Sequence, residues 1–156
     1  MTSGASGTLS IHREIPNRCL VDSGILVQHL RGNAQAAKYL TSLRRDFTPC
    51  ISAATAAELL VGCANEKQVQ VTADFLQTFE ILPIDFEVAR YAAVLIRKYP
   101  AIFGKEIARG FADALIAATA WSHNLVLHTL NVRHFARVTI AEIQIHSIDQ
   151  TAIEWK

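Results

Sequence analysis

The chain has 156 residues, of which 51% are hydrophobic and 19% charged. This composition excludes an intrinsically disordered protein and suits one globular domain with a substantial core. The formal charge of +1 gives no overall electrostatic reason to expect a nucleic-acid partner, so such a partner must be argued from local groups of residues.

Residues 1–17 are rich in Ser, Gly and Thr and are expected to form a flexible lead-in to a single domain over residues 18–156. The lead-in has no apolar signal core, and no apolar run reaches the roughly 18 residues of a membrane span. Cys19, Cys50 and Cys63 are an odd number without C-x-x-C spacing and are expected to be reduced. Together these features predict a cytoplasmic protein with no membrane association.

Short apolar runs alternate with helical patterns along the chain. The strands are predicted at RCLV (18–21), TPCIS (48–52), EILPID (80–85), NLVLHT (124–129) and EIQIHSI (142–148). Amphipathic stretches between them predict helices, residues 99–110 are predicted to be a loop, and Pro83 suggests that the third strand lies at a sheet edge. This alternation favours an α/β fold with a parallel sheet covered by helices on both faces.

Four polar residues follow strands or lie near helix starts. Asp22 directly follows the first strand, and Asn131 lies two residues past the strand that ends at Thr129. Glu58 falls within about two turns of the start of its helix, and Asp113 is expected in the opening turn of FADALIAATA (111–120). Since strand ends and helix starts share one edge of such a sheet, where ligands usually bind, these side chains are expected to converge.

Each residue also has an explanation without function. Asp22 suits a helix N-cap, Asp113 gains from the helix dipole, and Asn131 is a common turn residue. Glu58 is harder to explain in this way, because AATAAELLVG gives it only apolar and hydroxyl neighbours. Carboxylates that meet at one edge repel each other unless a cation or protons intervene. Oxygen ligands of this kind suit Mg²⁺ or Mn²⁺ and the hydrolysis of phosphodiesters.

Four stretches resemble, in order, the PIN domain and more specifically the VapC-type toxins of toxin–antitoxin pairs. They are CLVDSGILVQHLRG, ISAATAAELLVG, ILPIDFEVARYAA and DALIAATAWSHNLVLHTLNVRHFARV. The resemblance implies a three-layer α/β/α fold with a parallel sheet of four to five strands. It also implies a Mg²⁺- or Mn²⁺-dependent endoribonuclease, usually a homodimer, that is silenced by a cognate VapB-type antitoxin.

The resemblance assigns roles by position. Asp22, Glu58 and Asp113 match the acidic residues that are both catalytic and metal-binding, with Ser23 in a small hydroxyl position and Thr129 closing the late strand. Asn131 matches a fourth acidic position at which many members have Asp. An Asn keeps one oxygen ligand but removes a charge, which weakens a second metal more than the first. Two alternatives therefore stay open: a degenerate PIN domain that binds RNA or antitoxin without cleavage, and a small-molecule phosphatase on a related fold.

Other side chains support narrower expectations. Arg31, Arg109 and Arg133 are the arginines expected nearest the acidic edge, where they could contact RNA. The histidines lack an HExxH or finger-like spacing, and Trp121 and Trp155 are expected to serve packing or an interface. Apolar residues of the early helices predict either core packing or a dimer or antitoxin groove: Leu26, Leu30, Tyr39, Leu40 and Leu43.

Overall fold

A computed structural model describes residues 17–104, 107–131 and 142–148, without the side chains of residues 107–109 and 147. Within these ranges the strands are β1 (Arg18–Val21), β2 (Thr48–Ser52), β3 (Glu80–Leu82), β4 (Val126–Thr129) and β5 (Ile145–Ser147). The helices are α1 (Ser23–Leu30), α2 (Ala34–Asp46), α3 (Ala53–Val61), α4 (Glu66–Leu76), α5 (Phe86–Lys98), α6 (Pro100–Phe103) and α7 (Ile107–Ser122). The predicted lead-in, Arg133 and Trp155 lie outside the described residues.

The five strands form one sheet in the order β3-β2-β1-β4-β5, and every pairing is parallel. The chain moves outward from β1 to β3, then returns through α5–α7 to β4 on the other side of β1. The order therefore reverses between β1 and β4, which is where parallel sheets of this kind place their ligand sites. The predicted three-layer α/β/α architecture is confirmed, and β3, which is followed by Pro83, lies at the sheet edge as expected.

Alternate strand residues point into two cores. Leu20, Cys50 and Leu127 face the core beneath α5 and α7, and their neighbours Cys19, Val21 and Ile51 face the core beneath α1–α4. Burying both faces explains why these strands are continuous apolar runs. Burying each large aliphatic side chain stabilises the folded state by about 1.5–3 kcal/mol. None of the helices in the described part of the chain is long and apolar enough to cross a membrane.

The segment 99–110 is not the loop that the sequence predicted. Pro100 occupies the first turn of α6, a position that needs no N–H donor, so the proline begins a helix here. A Cβ atom on Gly110 would lie 2.1 Å from the carbonyl oxygen of Phe103, so only glycine lets α7 pack this closely on α6. Because α7 begins at Ile107, Asp113 is its seventh residue and lies in the second turn. The expectation that Asp113 lies in the opening turn is therefore wrong.

Helix ends and side-chain pairs fix the edge of the sheet that carries the carboxyl ends of the strands. Ser52, the last residue of β2, accepts from the N–H of Ala54 as the N-cap of α3. Its buried hydroxyl also lies 3.0 Å from the Thr119 hydroxyl of α7. Just past the C-terminus of α7, Asn124 adopts the left-handed conformation (φ 51°) and makes the turn into β4, which starts at Val126 rather than at residue 124.

Core packing accounts for most of the apolar residues on the early helices. Leu26, Leu40 and Leu43 are buried, whereas 39% of Leu30 is exposed. Trp121 stacks on Tyr91 with ring centroids 4.3 Å apart, in agreement with its expected packing role. Cys19 and Cys50 are buried, and all three cysteines are reduced.

His128 of β4 is buried on the α2 side of the sheet. Its Nδ1 lies 2.6 Å from the Tyr39 hydroxyl, and its ring also contacts Phe47 and His146. Burial, followed by the nearby His146, lowers the pKa of His128 from 6.5 to about 4. The ring is therefore neutral at physiological pH.

Acidification should destabilise the protein through His128. Because the pKa in the folded state lies below that of the unfolded chain, the stabilising contribution is complete above about pH 6.5 and is lost as the pH falls toward 4. Between pH 7.5 and 4.5 we expect the parent to lose about 2–3 kcal/mol more unfolding free energy than His128→Gln, at about 1.4 kcal/mol per unit of pKa. Urea unfolding at each pH measures this difference, with His123→Gln as the control. Parallel curves for parent and His128→Gln would contradict it.

Candidate active site

The Asp22 carboxylate is buried where β1 meets β4. Its Oδ1 accepts the Ser23 N–H at 2.7 Å, and its Oδ2 accepts the Thr129 hydroxyl at 2.6 Å. Its own N–H donates to the carbonyl oxygen of His128 at 2.9 Å, which extends the β1–β4 pairing by one residue. Only 5% of Asp22 is exposed, and these donors stabilise the charge that burial would otherwise penalise.

Asp22 is also the N-cap of α1, as one interpretation of the sequence expected. This capping role does not exclude a functional role, because each carboxylate oxygen has a second lone pair beyond the one used by Ser23 or Thr129. The cap fixes the carboxylate at the carboxyl edge of the sheet. A structural interaction thus positions a charged group where a ligand can reach it.

Glu58 of α3 approaches Asp22 from the neighbouring helix. Partial burial of its carboxyl group raises the pKa of Glu58, and repulsion from Asp22 raises it further, while the Ser23 hydroxyl opposes both effects. Ser23 therefore lies between the two acids, because its hydroxyl is also 3.4 Å from Oδ1 of Asp22. Of the four residues expected to converge, the structure thus brings Asp22 and Glu58 together, with Ser23 between them.

Asp113 is half-buried on α7 and has interactions of its own. The bond between Ser52 and Thr119 aligns α7 with the carboxyl end of β2. Asp113 lies six residues before Thr119, or about 9 Å along the helix axis at 1.5 Å per residue. If α7 runs antiparallel to the sheet, as a crossover helix does, this displacement carries Asp113 beyond the strand ends on the side of the acidic pair.

Thr129 and Asn131 form the wall of the site on the β4 side. The Asn131 N–H donates to the Thr129 hydroxyl oxygen at 2.9 Å, and that hydroxyl donates to Asp22. This relay orients the threonine proton toward the carboxylate. Asn131 itself is half-buried. It takes part in the relay through its backbone N–H, so this contact does not depend on its side chain.

A groove of about 650 Å³ runs from Glu58 between α1, α3 and α4. Leu30, Leu59 and Val71 supply apolar walls, and Arg31 and Lys67 place positive charge along it. Arg31 therefore lines the same groove as Glu58, and its expected contact with RNA stays a prediction. The side chain of Arg109 and all of Arg133 lie outside the described residues, so their expected contribution to RNA binding stays a prediction.

The residues present fit a hard divalent cation. Two carboxylates close enough to raise a pKa, with hydroxyl groups between and behind them, form an oxygen-only donor set of the kind that Mg²⁺ and Mn²⁺ bind. In the described ranges no three His, Cys, Asp or Glu side chains already lie together as a closed metal-binding group. The site offers an open pair of acids, with Asp113 as the candidate third.

Sequence reasoning did not identify the backbone carbonyl of His128 or the pair Ser52 and Thr119 as parts of this region. The N-cap at Ser52 could have been found, since a serine before AATAAE is a recognisable helix start. The pairing of Ser52 with Thr119 joins residues 67 positions apart, and no local pattern predicts it.

Comparison with known proteins identifies the family that the sequence motifs resemble. The family model described as PIN domain matches residues 19–141. Ribonuclease VapC10 from Mycobacterium tuberculosis is 39% identical over 116 residues, which cover 74% of this chain and 84% of that protein. A toxin–antitoxin complex from Klebsiella pneumoniae is similar in structure, with a TM-score of 0.65 and 29% identity over 83% of this chain and 99% of that chain.

A third relative supports the fold alone. VapBC2 from Rickettsia felis, solved with a DNA fragment from its promoter, has a TM-score of 0.69 and 24% identity, covering 85% of this chain and 99% of that chain. The chain belongs to the PIN-domain family and, within it, to the VapC ribonucleases of toxin–antitoxin systems.

The pKa of Glu58 should respond in opposite directions to its two polar neighbours. Asp22→Asn keeps a capping oxygen but removes the repelling charge, so it should lower the pKa of Glu58. Ser23→Ala removes the hydroxyl that favours the ionised form, so it should raise that pKa. A ¹³C NMR titration of the Glu58 carboxyl in metal-free protein measures both shifts, with Asp74→Asn as the control. Two shifts of the same sign would contradict the arrangement described above.

Proposed function

We propose that the protein is a Mg²⁺- or Mn²⁺-dependent endoribonuclease that acts as the toxin of a toxin–antitoxin pair. The observation that carries the proposal is the Asp22 carboxylate, held by Ser23 and Thr129 at the switch point of the sheet with Glu58 beside it. Its membership of a ribonuclease family supplies the substrate class.

Asp22 and Glu58 would hold the cation, with Asp113 as the third acid and Asn131 as a neutral oxygen donor at the edge. When bound, such a cation orients the phosphodiester and lowers the pKa of a coordinated water. The chain's own residues prepare the site. Thr129 and the Ser23 N–H orient the Asp22 carboxylate, and the Ser23 hydroxyl opposes the rise in the pKa of Glu58.

Arg31 offers a phosphate contact in the groove that Glu58 lines, and Lys67 adds a second positive charge to the same groove. Both cations line the groove that Glu58 also lines, so a single-stranded RNA bound to them would lie along this groove. Arg109 and Arg133 are proposed to add to this contact.

The proposed partners are an RNA substrate and a VapB-type antitoxin, and the proposed assembly is a homodimer in the cytoplasm. Relatives support the antitoxin, since the Klebsiella structure is a toxin–antitoxin complex. We also propose that residues 18–156 form one PIN domain and that residues 1–17 precede it as a lead-in.

RNA cleavage should depend on the acids and on the metal. Asp22→Asn, Glu58→Gln and Asp113→Asn should each reduce Mg²⁺-dependent cleavage at least a hundredfold, because each removes a charge from the cation site, corresponding to about 3 kcal/mol of transition-state stabilisation. Gel analysis of a labelled RNA with purified protein measures the rate, with Glu66→Gln on the exposed start of α4 as the matched control. Cleavage that survives both Asp22→Asn and Asp113→Asn, or that persists in EDTA, would overturn the proposal.

Asn131 favours a second candidate, a PIN domain that binds RNA or antitoxin without cutting it, because this residue lacks the charge that many family members have. Asn131→Asp restores that charge and should increase the number of Mn²⁺ ions bound per chain or tighten the weaker one. Equilibrium dialysis with Mn²⁺ counts the ions in parent and variant. If the parent binds no Mn²⁺ and cleaves no RNA while Asn131→Asp does both, the non-catalytic candidate is correct.

A further inference from the structure

A second group of ligating side chains lies on the α2 side of the sheet, apart from the acidic pair. His128 of β4 and His146 of β5 are directly paired in the parallel register, so both side chains project from the same face. Their ring centroids are 4.7 Å apart with a tilt of 40°. They line a cavity of about 300 Å³ with Tyr39, Asp46 and Phe47.

We propose that His128 and His146 form a binding site for a borderline transition-metal ion, with Zn²⁺ as the expected occupant. The spacing of the rings supports this assignment. An ion about 2.1 Å from one nitrogen of each imidazole would hold the two ring centroids roughly 4.5–5.2 Å apart for ligand angles between a right angle and a tetrahedral one. The separation of 4.7 Å falls within that range.

Tyr39 leaves the correct nitrogen available on His128. The phenol lies 2.6 Å from Nδ1 and so occupies that side of the ring, which makes Nε2 the atom for the metal. When an ion binds Nε2, the single ring proton resides on Nδ1 and is donated to the Tyr39 oxygen. Histidine ligands of metals are usually held by such a hydrogen bond from the second nitrogen.

The remaining coordination positions would come from water and from Asp46. This residue ends α2 and lines the same cavity, so a rotation of its exposed side chain could bring a carboxylate oxygen to the ion. Imidazole with at most one carboxylate suits Zn²⁺, Cu²⁺ or Ni²⁺ and is a poor site for Mg²⁺. The two sites of the protein therefore differ in the metal they select.

Metal binding at this site would stabilise the pairing of β5 with β4 at the edge of the sheet. β5 has only three residues and pairs with β4 alone among the described strands. An ion shared by His128 and His146 adds a direct link between these strands. It should therefore raise the thermal midpoint, since a ligand that binds only the folded state stabilises it.

Isothermal titration of tag-free protein with Zn²⁺, in excess Mg²⁺ to occupy the acidic edge, tests the proposal. The parent should bind one Zn²⁺ per chain in a step that His146→Gln abolishes, with a rise in thermal midpoint that is also lost. His123→Gln, on a half-buried histidine outside the cavity, should bind as the parent does. Tyr39→Phe should keep the stoichiometry but weaken affinity about tenfold or more through the lost second contact.

His146 is exposed, so His146→Gln should fold normally, and circular dichroism checks this. Cu²⁺ supplies an independent readout, because its paramagnetic resonance spectrum should show two nitrogen ligands in the parent and fewer in His146→Gln. The proposal is overturned if the folded parent binds no Zn²⁺ at this stoichiometry, or if His146→Gln binds it with unchanged affinity. Neither result depends on RNA cleavage, so the outcome is separate from that of the proposed ribonuclease activity.

Discussion

The buried charge of Asp22 is the constraint on which the site depends. The fold tolerates this buried carboxylate because the Ser23 N–H and the Thr129 hydroxyl both donate hydrogen bonds to it. These donors come from α1 and β4, on either side of the point where the strand order reverses. The same contacts that stabilise the charge therefore align two strands and start a helix, so stability and site geometry have a common origin.

Parallel topology explains why the acids meet. Every strand of the sheet points the same way, so the residues that follow β1 and β4 lie at one edge, and α3, which begins at the end of β2, brings Glu58 close to Asp22. The fold concentrates negative charge in one place, and burial together with the smaller repulsion from Asp22 raises the pKa of Glu58, which reflects the cost of keeping both acids ionised. A cation that binds there lowers the cost, which is the physical link between the architecture and metal-dependent chemistry.

The sequence predicted the parts of the molecule that local patterns determine. All five strands, the edge position of β3 and the capping role of Asp22 follow from apolar runs, a proline and an aspartate before Ser-Gly. Residues 99–110 were predicted wrongly as a loop, whereas Pro100 lies in the first turn of α6, where a proline is compatible with a helix. The close approach of Gly110 to Phe103 depends on tertiary packing, which no sequence pattern contains.

The hydrogen bond between Thr129 and Asp22 joins residues 107 positions apart, and this separation has a consequence for synthesis. Asp22 is among the first parts of the domain to leave the ribosome, and Thr129 is among the last. Until β4 emerges and pairs with β1, the nascent chain lacks the Thr129 hydroxyl that donates to Oδ2 of Asp22 and has no switch point in its sheet. A chain that stops before β4 therefore cannot assemble this edge of the sheet, so the site geometry depends on residues from both halves of the sequence.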